Sequence, residues 1–595
     1  MKILYNDGRV DECPQSQEQE VIRHSAAHIM AQAIKRLYPN THFAYGPATE
    51  TGFYYDVDSG DAIINDEALP AIEKEMQKIV KENLKFEVFT LPRNEAIALM
   101  EERGEQYKVQ HIGDLPEDAR ITFFRQGEYI DMCVGPHLTY TKALKAFKLT
   151  AVSGAYWKND KNNKMLTRVK GVAFRTPDEL AEYEKRVKEA QERDHRRIGK
   201  DMQLFMTDDL IGKGLPMFLP KGYTIWQQLE DYIKDKERAL GYQHVLTPCI
   251  GTVGLYQTSG HWDHYRDNMF PVMAVEDEKF VLRPMNCPHQ MMIYANQRHS
   301  YRDLPIRIGE IAHDFRFESS GTLKGIERGR HFCQNDAHLF VTPEQIKSEV
   351  ASVVDLIFDV YKDFGITDYR CVLSLRDPED KVKYHQDDEM WDHAETALRD
   401  VLNDLGIQYT EEIGEAAFYG PKLDVNVLPA VGAEYTLSTC QLDFCLPAKF
   451  NLKYVDTDGV EKTPVVLHRA ILGSLDRFMA YMIEETKGAF PLWLAPVQVA
   501  VLSVSEKSAD YAKTVYEYLR ENRIRAELDD RNEKIGYKIR SARQTDKVPY
   551  MIIVGEHEVA DGTISVRDRA TDETHTYQKE AFLDKLLSEI AARTR

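Results

Sequence analysis

Residues 304–340 read LPIRIGEIAHDFRFESSGTLKGIERGRHFCQNDAHLF, and this stretch decides the fold of the chain. Two runs of alternating apolar and polar residues flank a middle rich in Ser, Gly and Thr, which predicts a long antiparallel hairpin. Alternate side chains of a strand share a face, so Arg316 and Glu318 point to the same side. On the returning run, one parity holds Arg328, Arg330, Phe332, Gln334, Asp336 and His338.

This polar and aromatic parity has two interpretations. A solvated sheet face gives the same alternation, but such faces prefer Lys, Glu and Thr. The mixture of Phe, His and Gln with Arg and Asp favours a floor that binds a ligand. In such a floor Arg suits phosphate oxygens, Phe a flat base, Asp an amine and His a metal.

The composition is that of an ordinary globular protein with several domains. At about 100 to 200 residues per domain, 595 residues predict three or four domains. Eight cysteines in a chain this long do not indicate a disulfide framework. The sequence lacks an apolar run long enough for a membrane span or a signal peptide, so we expect a cytoplasmic protein without a membrane partner. The net charge of −20 excludes indiscriminate coating of nucleic acid, but not a local basic surface.

The first predicted helix, residues 19–38, carries two histidines on one face, and an apolar stripe occupies the other. His24 and His28 are four residues apart and lie roughly opposite the stripe, so we expect them to point away from the core. Together with Cys133 and His137, they have the composition of a four-ligand zinc site.

Changes of pattern along the chain predict its domain organisation. Residues 177–200 are helical, densely charged and poor in apolar positions, which is typical of an exposed connecting helix. Residues 194–491 mix long strands with helices, the α+β pattern of an antiparallel sheet flanked by helices. In residues 492–595 strands and helices alternate, which predicts an α/β domain with a largely parallel sheet.

Several motifs carry a resemblance to a known family. Arg316 and Glu318, followed by residues 328–332, resemble the second signature motif of class II aminoacyl-tRNA synthetases, and residues 473–478 (GSLDRF) resemble the third. With the segments 285–288 (MNCP), 335–338 (NDAH) and 468–473 (HRAILG), the chain resembles threonyl-tRNA synthetase from about residue 14 to its C-terminus.

The resemblance implies an α+β multidomain fold. Its parts are an N-terminal α+β editing domain at residues 1–176, a linker helix at 177–200, a class II catalytic domain with an antiparallel sheet at 194–491, and a C-terminal α/β anticodon-binding domain at 492–595. The family usually begins with a small β-grasp domain, and only about a dozen residues precede the editing domain here, so we expect a short form.

The resemblance also implies an activity and its partners. The expected enzyme is a ligase that joins L-threonine to tRNA(Thr) through a threonyl-adenylate formed from ATP, and that hydrolyses mischarged seryl-tRNA(Thr). The expected assembly is a homodimer that pairs through residues 245–248. Alternatives are a specialised second copy or inhibitor-resistant form with altered activity, and a non-catalytic tRNA-binding or regulatory relative. The non-catalytic relative predicts a missing motif arginine or zinc ligand, and the sequence has them all.

The family's nucleotide-binding roles carry over to the motif residues. Arg316 corresponds to the residue at the α-phosphate and Arg477 to the residue at the γ-phosphate, and guanidinium suits both sites because it is planar and always charged. Glu318 would hold the adenine amino group and Phe332 would stack on the base, with Arg328 beside them and Mg²⁺ accompanying ATP.

The resemblance assigns one catalytic-domain zinc ion per subunit to Cys287, His338 and His468. By composition alone, each of these is more readily a core residue, because no local spacing links them. In the family, bound threonine reaches zinc through its amino group and its hydroxyl, and the residues expected around it are Gln334, Asp336, Tyr419 and Gln441.

A site of this kind rejects valine by ~10⁴ or more, because valine lacks the hydroxyl, but it rejects serine by only ~10 to 200-fold. Hydrolytic editing would remove the serine that this weak discrimination admits. By resemblance, the threonyl-type editing pocket comprises His24, His28, Lys108, Asp131, Cys133 and His137. This pocket is thought to work without zinc, whereas the related alanyl-type pocket binds zinc, so both interpretations stay open. We expect His24 and Lys108 to handle the water, and Cys133 and His137 to position the substrate.

Residues 520–547 hold nine Lys/Arg and six Asp/Glu, a local excess of positive charge in an acidic chain. A solvated helix face explains such a run equally well. The resemblance to an anticodon-binding domain predicts tRNA contacts at Arg531, Asn532, Lys534, Lys538 and Arg540.

Five positions depart from the family's usual residues: Gln290 for His, Phe317 for Asn or Tyr, Gly329 for Val, Cys333 for Thr and Asn335 for Asp. The four hairpin positions have odd parity, so we expect them to face away from the ligand floor and to repack behind it.

Overall fold

The computed structural model describes residues 1–430 and 432–593. The chain forms two compact units, Met1–Lys188 and Glu189–Arg595. Among the described residues, no helix is both long enough and apolar enough to cross a membrane.

The first unit wraps small sheets around one central helix. Its helices are α1 Glu18–Leu37, α2 Leu69–Glu82, α3 Arg93–Glu102 and α4 Gln106–Asp114, and α5 Pro177–Arg193 begins in it and ends in the second unit. Its strands are β1 Lys2–Leu4, β2 Val10–Glu12, β3 His42–Phe43, β4 Phe53–Asp58, β5 Phe86–Leu91, β6 Ile121–Gln126, β7 Tyr129–Met132, β8 His137–Leu138, β9 Ala146–Tyr156 and β10 Met165–Phe174. The sheets have strand orders β3-β4-β10-β9, β5-β6-β7 and β2-β1-β8.

Helix α1 is buried on nearly all of its faces, because small residues such as Ala26, Ala27, Ala31 and Ala33 let neighbouring elements approach closely. His28 is therefore only 2% exposed. The prediction that the histidine face lies away from the core was wrong in this respect, since a two-sided helix has no solvent face opposite its apolar stripe.

The predicted connecting helix at residues 177–200 is two helices. Helix α5 has no buried residue, as its composition predicts, and it ends at Arg193. The side chain of Asp194 then accepts a hydrogen bond from the backbone N–H of Arg196, which makes Asp194 the N-cap of the next helix, His195–Asp201.

The second unit contains a long, mainly antiparallel sheet, whose two edge pairs β13–β18 and β20–β21 are parallel, and a smaller mixed sheet. Its helices are α6 His195–Asp201, α7 Pro220–Ala239, α8 Val253–Ser259, α9 His261–His264, α10 Cys287–Ala295, α11 Ile346–Phe364, α12 Asp388–Asp404, α13 Cys445–Lys449, α14 Leu475–Thr486, α15 Glu506–Glu521, α16 Ile535–Arg540, α17 Glu556–Asp561 and α18 Lys579–Ala591. The strands up to the end of the large sheet are β11 Phe205–Met206, β12 Met217–Phe218, β13 Gln243–His244, β14 Ile250–Thr252, β15 Met273–Val275, β16 Glu278–Leu282, β17 His299–Ser300, β18 Ile306–Phe315, β19 His331–Val341, β20 Tyr369–Leu375, β21 Tyr409–Ile413, β22 Lys422–Val427, β23 Tyr435–Asp443, β24 Tyr454–Val455, β25 Glu461–Lys462 and β26 Val465–Ser474.

The large sheet has the strand order β13-β18-β19-β26-β23-β22-β20-β21. The predicted hairpin is confirmed, because β18 and β19 pair antiparallel in a register that runs from Ile306 opposite Phe340 to Phe315 opposite His331. Apolar side chains of α7, α11 and α14 cover one face of this sheet and form the main core of the unit. On the other face, apolar side chains such as Met291, Phe340 and Val466 pack together at one end, and the rest is open and carries polar side chains.

The C-terminal sheet is built from β27 Val499–Ser503, β28 Ala526–Asp529, β29 Tyr550–Val554, β30 Ile564–Asp568 and β31 Thr574–Tyr577. Its order is β28-β27-β29-β30-β31, and only the pairs around β27 are parallel. The prediction of a largely parallel sheet was therefore wrong for half of the pairs. Strands β30 and β31 form an antiparallel hairpin, which needs only a short turn and no crossover helix.

Candidate functional site

The open face of the large sheet brings together three residues that are far apart in sequence. Cys287 begins α10, His338 lies on β19 and His468 lies on β26, directly opposite His338 in the strand register. One donor atom from each residue lies within 4.8 Å of the others, and all three side chains are buried. A thiol and two imidazoles in this arrangement are the donor set of a zinc site.

Hydrogen bonds at the far side of each ring set which nitrogen faces the cluster. His338 Nδ1 donates to Gln290 Oε1 at 2.7 Å, and His468 Nε2 donates to Asp443 Oδ2 at 2.8 Å. The remaining nitrogens, His338 Nε2 and His468 Nδ1, are buried, and neither has a hydrogen-bond partner within the described part of the chain. Buried unpaired acceptors are costly, so this cluster fits a metal ion.

A cavity of about 350 Å³ opens beside this triad. Asp336 and Tyr419 line it together with Gln334 and Gln441, so all four predicted amino-acid contacts surround one space. The Tyr419 hydroxyl donates to Gln441 Oε1 at 2.6 Å, and the Tyr419 ring stacks on His468. The cavity therefore offers a carboxylate, amides and a phenol next to the candidate metal ligands.

A second cavity, of about 250 Å³, adjoins the first. It is lined by all five predicted ATP contacts, which are Arg316, Glu318, Arg328, Phe332 and Arg477. The Arg316 guanidinium lies 4.9 Å from the centre of the Phe332 ring. Arg477 sits in the first turn of α14, where its Nε donates to the carbonyl of Glu327 at 3.2 Å.

The two cavities share residues, which makes them one continuous cleft. Arg316, Gln334 and Gln441 line both, and so does Lys422, which the sequence analysis missed. Lys422 is on β22 and is paired with Asp424, so its sequence pattern is that of an ordinary strand ion pair. An anionic group that spans the cleft would meet Arg316 and Lys422 at the junction.

The predicted alternation of side chains between the two faces of the hairpin holds only within strands β18 and β19. Phe332 and Gln334 face the cleft, whereas Cys333 and Asn335 face the other side, and Asn335 Nδ2 donates to Glu237 Oε1 at 2.8 Å. Strand β18 ends at Phe315 and β19 begins at His331, so the pattern does not extend into the loop between them.

Two loop positions therefore depart from the predicted parity, and a third, Phe317, keeps it. Arg330 does not face the cleft, because its Nε donates to the carbonyl of Glu318 at 2.9 Å and its guanidinium lies over the Phe317 ring. Gly329, which was expected to face away, lines the second cavity. Phe317 does face away and is 47% exposed.

The first unit holds a separate cluster of predicted site residues. Cys133 Sγ lies 3.0 Å from His24 Nε2 and 3.3 Å from His137 Nε2. One donor atom each of His24, His28, Cys133 and His137 lies within 4.8 Å of the others. These residues border a cavity of about 520 Å³, which His24, His28 and Cys133 line while His137 lies buried behind them.

A charged network forms the other wall of this cavity. Lys108 Nζ lies 2.6 Å from Asp131 Oδ1 and donates to the Tyr55 hydroxyl at 2.9 Å, and the Tyr55 hydroxyl donates to Asp131. Burial opposes the ionisation of Asp131, but the charge of Lys108 holds the pKa of this carboxyl below its ordinary value. Sequence reasoning missed Tyr55, because a tyrosine on an alternating strand gives no signal of this contact.

Burial sets the protonation of the cluster. It lowers the pKa of His24 to about 4 and that of His28 to about 3, and it raises the pKa of the Cys133 thiol to about 12. At neutral pH the imidazoles are uncharged and the thiol keeps its proton. The cluster can therefore accept a proton from water at an imidazole, but it does not present a thiolate nucleophile.

The predicted tRNA-contact residues are mostly exposed. Arg531, Asn532 and Lys534 lie at the surface just before α16, and Arg540 is exposed at the end of that helix. Lys538 is 1% exposed, and its Nζ donates to the carbonyls of Ser503 and Asp529. The prediction that Lys538 contacts tRNA was therefore wrong, because this ammonium group ties α16 to the sheet.

Family models match three segments of the chain. The class II core domain of tRNA synthetases (G, H, P, S and T) matches residues 270–486, and the anticodon binding domain matches residues 498–589. The second additional domain of threonyl and alanyl tRNA synthetases matches residues 121–170. The fold class predicted from the sequence is confirmed by these matches.

Known proteins match over nearly the whole chain. The threonine–tRNA ligase of Geobacillus sp. (strain WCH70) is 53% identical over 572 residues, which are 96% of this chain and 88% of that protein. The threonine–tRNA ligase of Geobacillus kaustophilus (strain HTA426) is 52% identical over 596 residues, covering 100% of this chain and 91% of that protein.

A solved structure, the RNA binding domain of threonyl-tRNA synthetase from Cryptosporidium parvum Iowa II, superposes with a TM-score of 0.63 at 37% identity. The match covers 66% of this chain and 98% of the solved chain. The core and second-additional-domain matches support aminoacylation together with editing, and they do not favour a specialised or non-catalytic relative. This chain is therefore an ATP-using, tRNA-binding class II aminoacyl-tRNA synthetase, and it belongs to the threonine–tRNA ligase family.

Proposed function

We propose that this enzyme ligates L-threonine to tRNA(Thr) through a threonyl-adenylate, with one zinc ion per subunit held by Cys287, His338 and His468. The observation that carries the proposal is the convergence of these three side chains, with two unpaired ring nitrogens, beside a cavity of amino-acid size. Zinc, when bound there, supplies a Lewis acid with positions for an amine and a hydroxyl.

The amino-acid cavity would orient threonine through its own side chains. Asp336 would accept a hydrogen bond from the amino group, and the amides of Gln334 and Gln441 would hold the other polar atoms of threonine. A site that engages the hydroxyl leaves polar groups unpaired when valine enters, which is why discrimination against valine reaches ~10⁴ or more.

The adjoining cavity would hold ATP with Mg²⁺. Arg316 lies where the two cavities meet, so its guanidinium can neutralise the α-phosphate during attack by the carboxylate, while Arg477 takes the γ-phosphate. Phe332 offers a flat face for adenine, and Glu318 and Arg328, which are paired at 3.0 Å, close the site around the base.

We assign hydrolysis of seryl-tRNA(Thr) to the cavity of the first unit. Neutral His24 accepts a proton from water, and the ammonium of Lys108 stabilises the developing oxyanion. Cys133 faces the substrate, and His137, buried behind it at 3.3 Å, orients that thiol.

The proposal extends to partners and location. Arg531, Asn532, Lys534 and Arg540 would contact the anticodon arm, and residues 245–248 would pair in a homodimer, with Leu246 88% exposed in this segment. An enzyme that charges tRNA for translation would act in the cytoplasm.

Threonine-dependent exchange of pyrophosphate into ATP tests the synthetic site. In a His338→Ala variant we expect one zinc ion per chain to be lost, by elemental analysis, and exchange to fall to background. An exposed histidine, His393 on α12, provides the matched control, and His393→Ala should keep both the zinc and the exchange. Full exchange by metal-free His338→Ala protein would overturn the proposal.

A further inference from the structure

A second thiol–imidazole cluster lies on the same hairpin, on the face away from the catalytic cleft. It consists of His313 on β18 and of His331 and Cys333 on β19. The cluster is separate from the site described above, because Phe332 and Gln334, which alternate with these residues, face the cleft.

The strand register builds this cluster. His313 and Cys333 are directly opposite each other in the antiparallel pair, and His331 is two residues from Cys333 on the same strand, so all three side chains share one face. Residues on paired strands are held in position by the backbone ladder. The donor atoms are therefore presented by rigid elements and not by a loop.

The contacts converge on one atom. His313 Nδ1 lies 2.9 Å from His331 Nε2 and 3.1 Å from Cys333 Sγ. A hydrogen bond between the two imidazoles explains the first distance, but a ring nitrogen has one in-plane site, and both neighbours approach it. In a tetrahedral zinc site the donor atoms are roughly 3.3 to 3.6 Å apart, so separation by a few tenths of an ångström makes room for an ion.

Access completes the requirements of a metal site. Cys333 is 3% exposed, whereas both histidines are partly exposed, so an ion can enter from solvent. We propose that His313, His331 and Cys333 form a second metal site in this unit, which takes a borderline divalent transition metal such as Zn²⁺ through two imidazole nitrogens, one thiolate and one water. Binding releases the thiol proton of Cys333 to solvent.

The ion would link the two strands of the hairpin near the end where the loop joins them. Arg316 follows directly after β18 and Phe332 is on β19, and both line the nucleotide cavity on the opposite face. The second metal site would therefore support the part of the hairpin that holds ATP in the proposed function. It uses none of the three proposed zinc ligands Cys287, His338 and His468.

Zinc counting on the full chain tests the inference. After equilibrium dialysis against Zn²⁺, we expect Cys333→Thr and His331→Ala variants to hold one ion per chain fewer than the parent. Thr is the residue usual in the family at position 333, so that variant should fold. Cys371→Ser is the matched control, because Cys371 is a buried strand cysteine that belongs to no donor cluster of the described residues. Equal zinc content in the parent and both variants would overturn the inference.

A measurement on the parent alone guards against a misfolded variant. Diethyl pyrocarbonate modifies accessible histidines, and peptide mapping reports each site. We expect Zn²⁺ to protect His313 and His331 from modification and to leave the exposed His393 reactive. Equal modification of His313 and His331 with and without Zn²⁺ would contradict the site.

Discussion

The oxygen of the Gln290 side chain accepts the Nδ1–H of His338, and its amide nitrogen donates to Glu310 Oε2 at 3.2 Å. Glutamine stands here where the family resemblance leads us to expect histidine. Glutamine and neutral histidine can each accept one hydrogen bond and donate another. In histidine the tautomer decides which nitrogen accepts, whereas in the amide the oxygen always accepts and the nitrogen always donates. Gln290 is thus a buried relay that contacts a metal ligand directly, and it does more than fill space behind the floor.

Replacing Gln290 by leucine removes this acceptor while keeping the volume. We expect Gln290→Leu to weaken zinc binding by about 10 to 100-fold, because outer contacts that orient a ligating histidine contribute that much. Competition with a chelator measures the affinity. Gln290→His restores the residue that the family resemblance leads us to expect and serves as the control, with zinc affinity and pyrophosphate exchange close to those of the parent. A large gain of exchange in that control would mean that this departure impairs activity.

At the scale of elements, single residues decide where a periodic pattern stops. The side chain of Asp194 caps α6 and thereby splits a charged stretch that reads as one helix. In the same way, the side chains alternate between the two faces only within β18 and β19. Gly329 and Arg330 lie in the loop between these strands and do not follow the alternation. Periodicity predicts the body of an element better than its ends, because the ends depend on individual hydrogen bonds.

The cap at Asp194 gives a prediction with a pH dependence. The side-chain hydrogen bond from Arg196 lowers the pKa of Asp194 to about 2 from its ordinary 3.8. A depressed carboxyl pKa stabilises the fold above the ordinary value, and this stabilisation is lost as the pH falls from about 4 through about 2. We expect Asp194→Ala to reduce the free energy of unfolding by about 1 kcal/mol at pH 7, and the deficit to shrink below pH 4.

Hydrogen exchange of the α6 amides measures this local stability. Asp201→Ala is the matched control, since Asp201 ends the same helix, is exposed and lies 3.9 Å from Arg197. It should cost little, because a carboxylate at the C-terminus of a helix opposes the helix dipole. Equal losses in both variants would show that the cap contributes nothing.

At the scale of the whole molecule, the two chemistries occupy different compact units. The candidate catalytic cleft lies within the second unit and the candidate editing cavity lies within the first. Each unit has its own apolar core, and no lining residue is common to the two cavities. Loss of one activity should therefore leave the other intact.

His24→Ala tests this separation. We expect the variant to accumulate seryl-tRNA, with discrimination against serine falling toward the ~10 to 200-fold that the synthetic site supplies alone. Threonine-dependent pyrophosphate exchange should not change. His42→Ala, on β3 of the same unit and away from the cavity lining, is the control. If His24→Ala protein still hydrolyses seryl-tRNA, the editing assignment is wrong.

Assembly is also a property of the whole molecule. Leu246 lies two residues after the end of the β13 edge strand and is 88% exposed, between two partly or fully buried neighbours. We expect Leu246→Glu to shift the protein from dimer to monomer in sedimentation equilibrium, because a buried unpaired charge opposes pairing. Leu210 is 94% exposed and lies outside the segment, so Leu210→Glu should stay dimeric. Dimers of unchanged stability in the Leu246 variant would place the interface elsewhere.

The motif residues were accessible to sequence reasoning because each motif is short. Arg316, Glu318 and Phe332 lie on one hairpin, whose alternation and turn composition predict both the fold and a polar floor. The predicted helix at residues 19–38 and the charged connecting stretch also follow from local pattern. These features depend on neighbours along the chain, which the sequence displays.

Other features depend on neighbours in space. Cys287, His338 and His468 are separated by 51 and 130 residues, so no spacing reveals them, and only the pairing of β19 with β26 places the two histidines opposite each other. The burial of His28 and of Lys538 likewise follows from elements that pack on α1 and α16. The sequence by itself determined the hairpin, the motif arginines and the family resemblance, because these arise from local order. Tertiary structure alone decided which donors converge and which cations are buried, because strand register and packing set those distances.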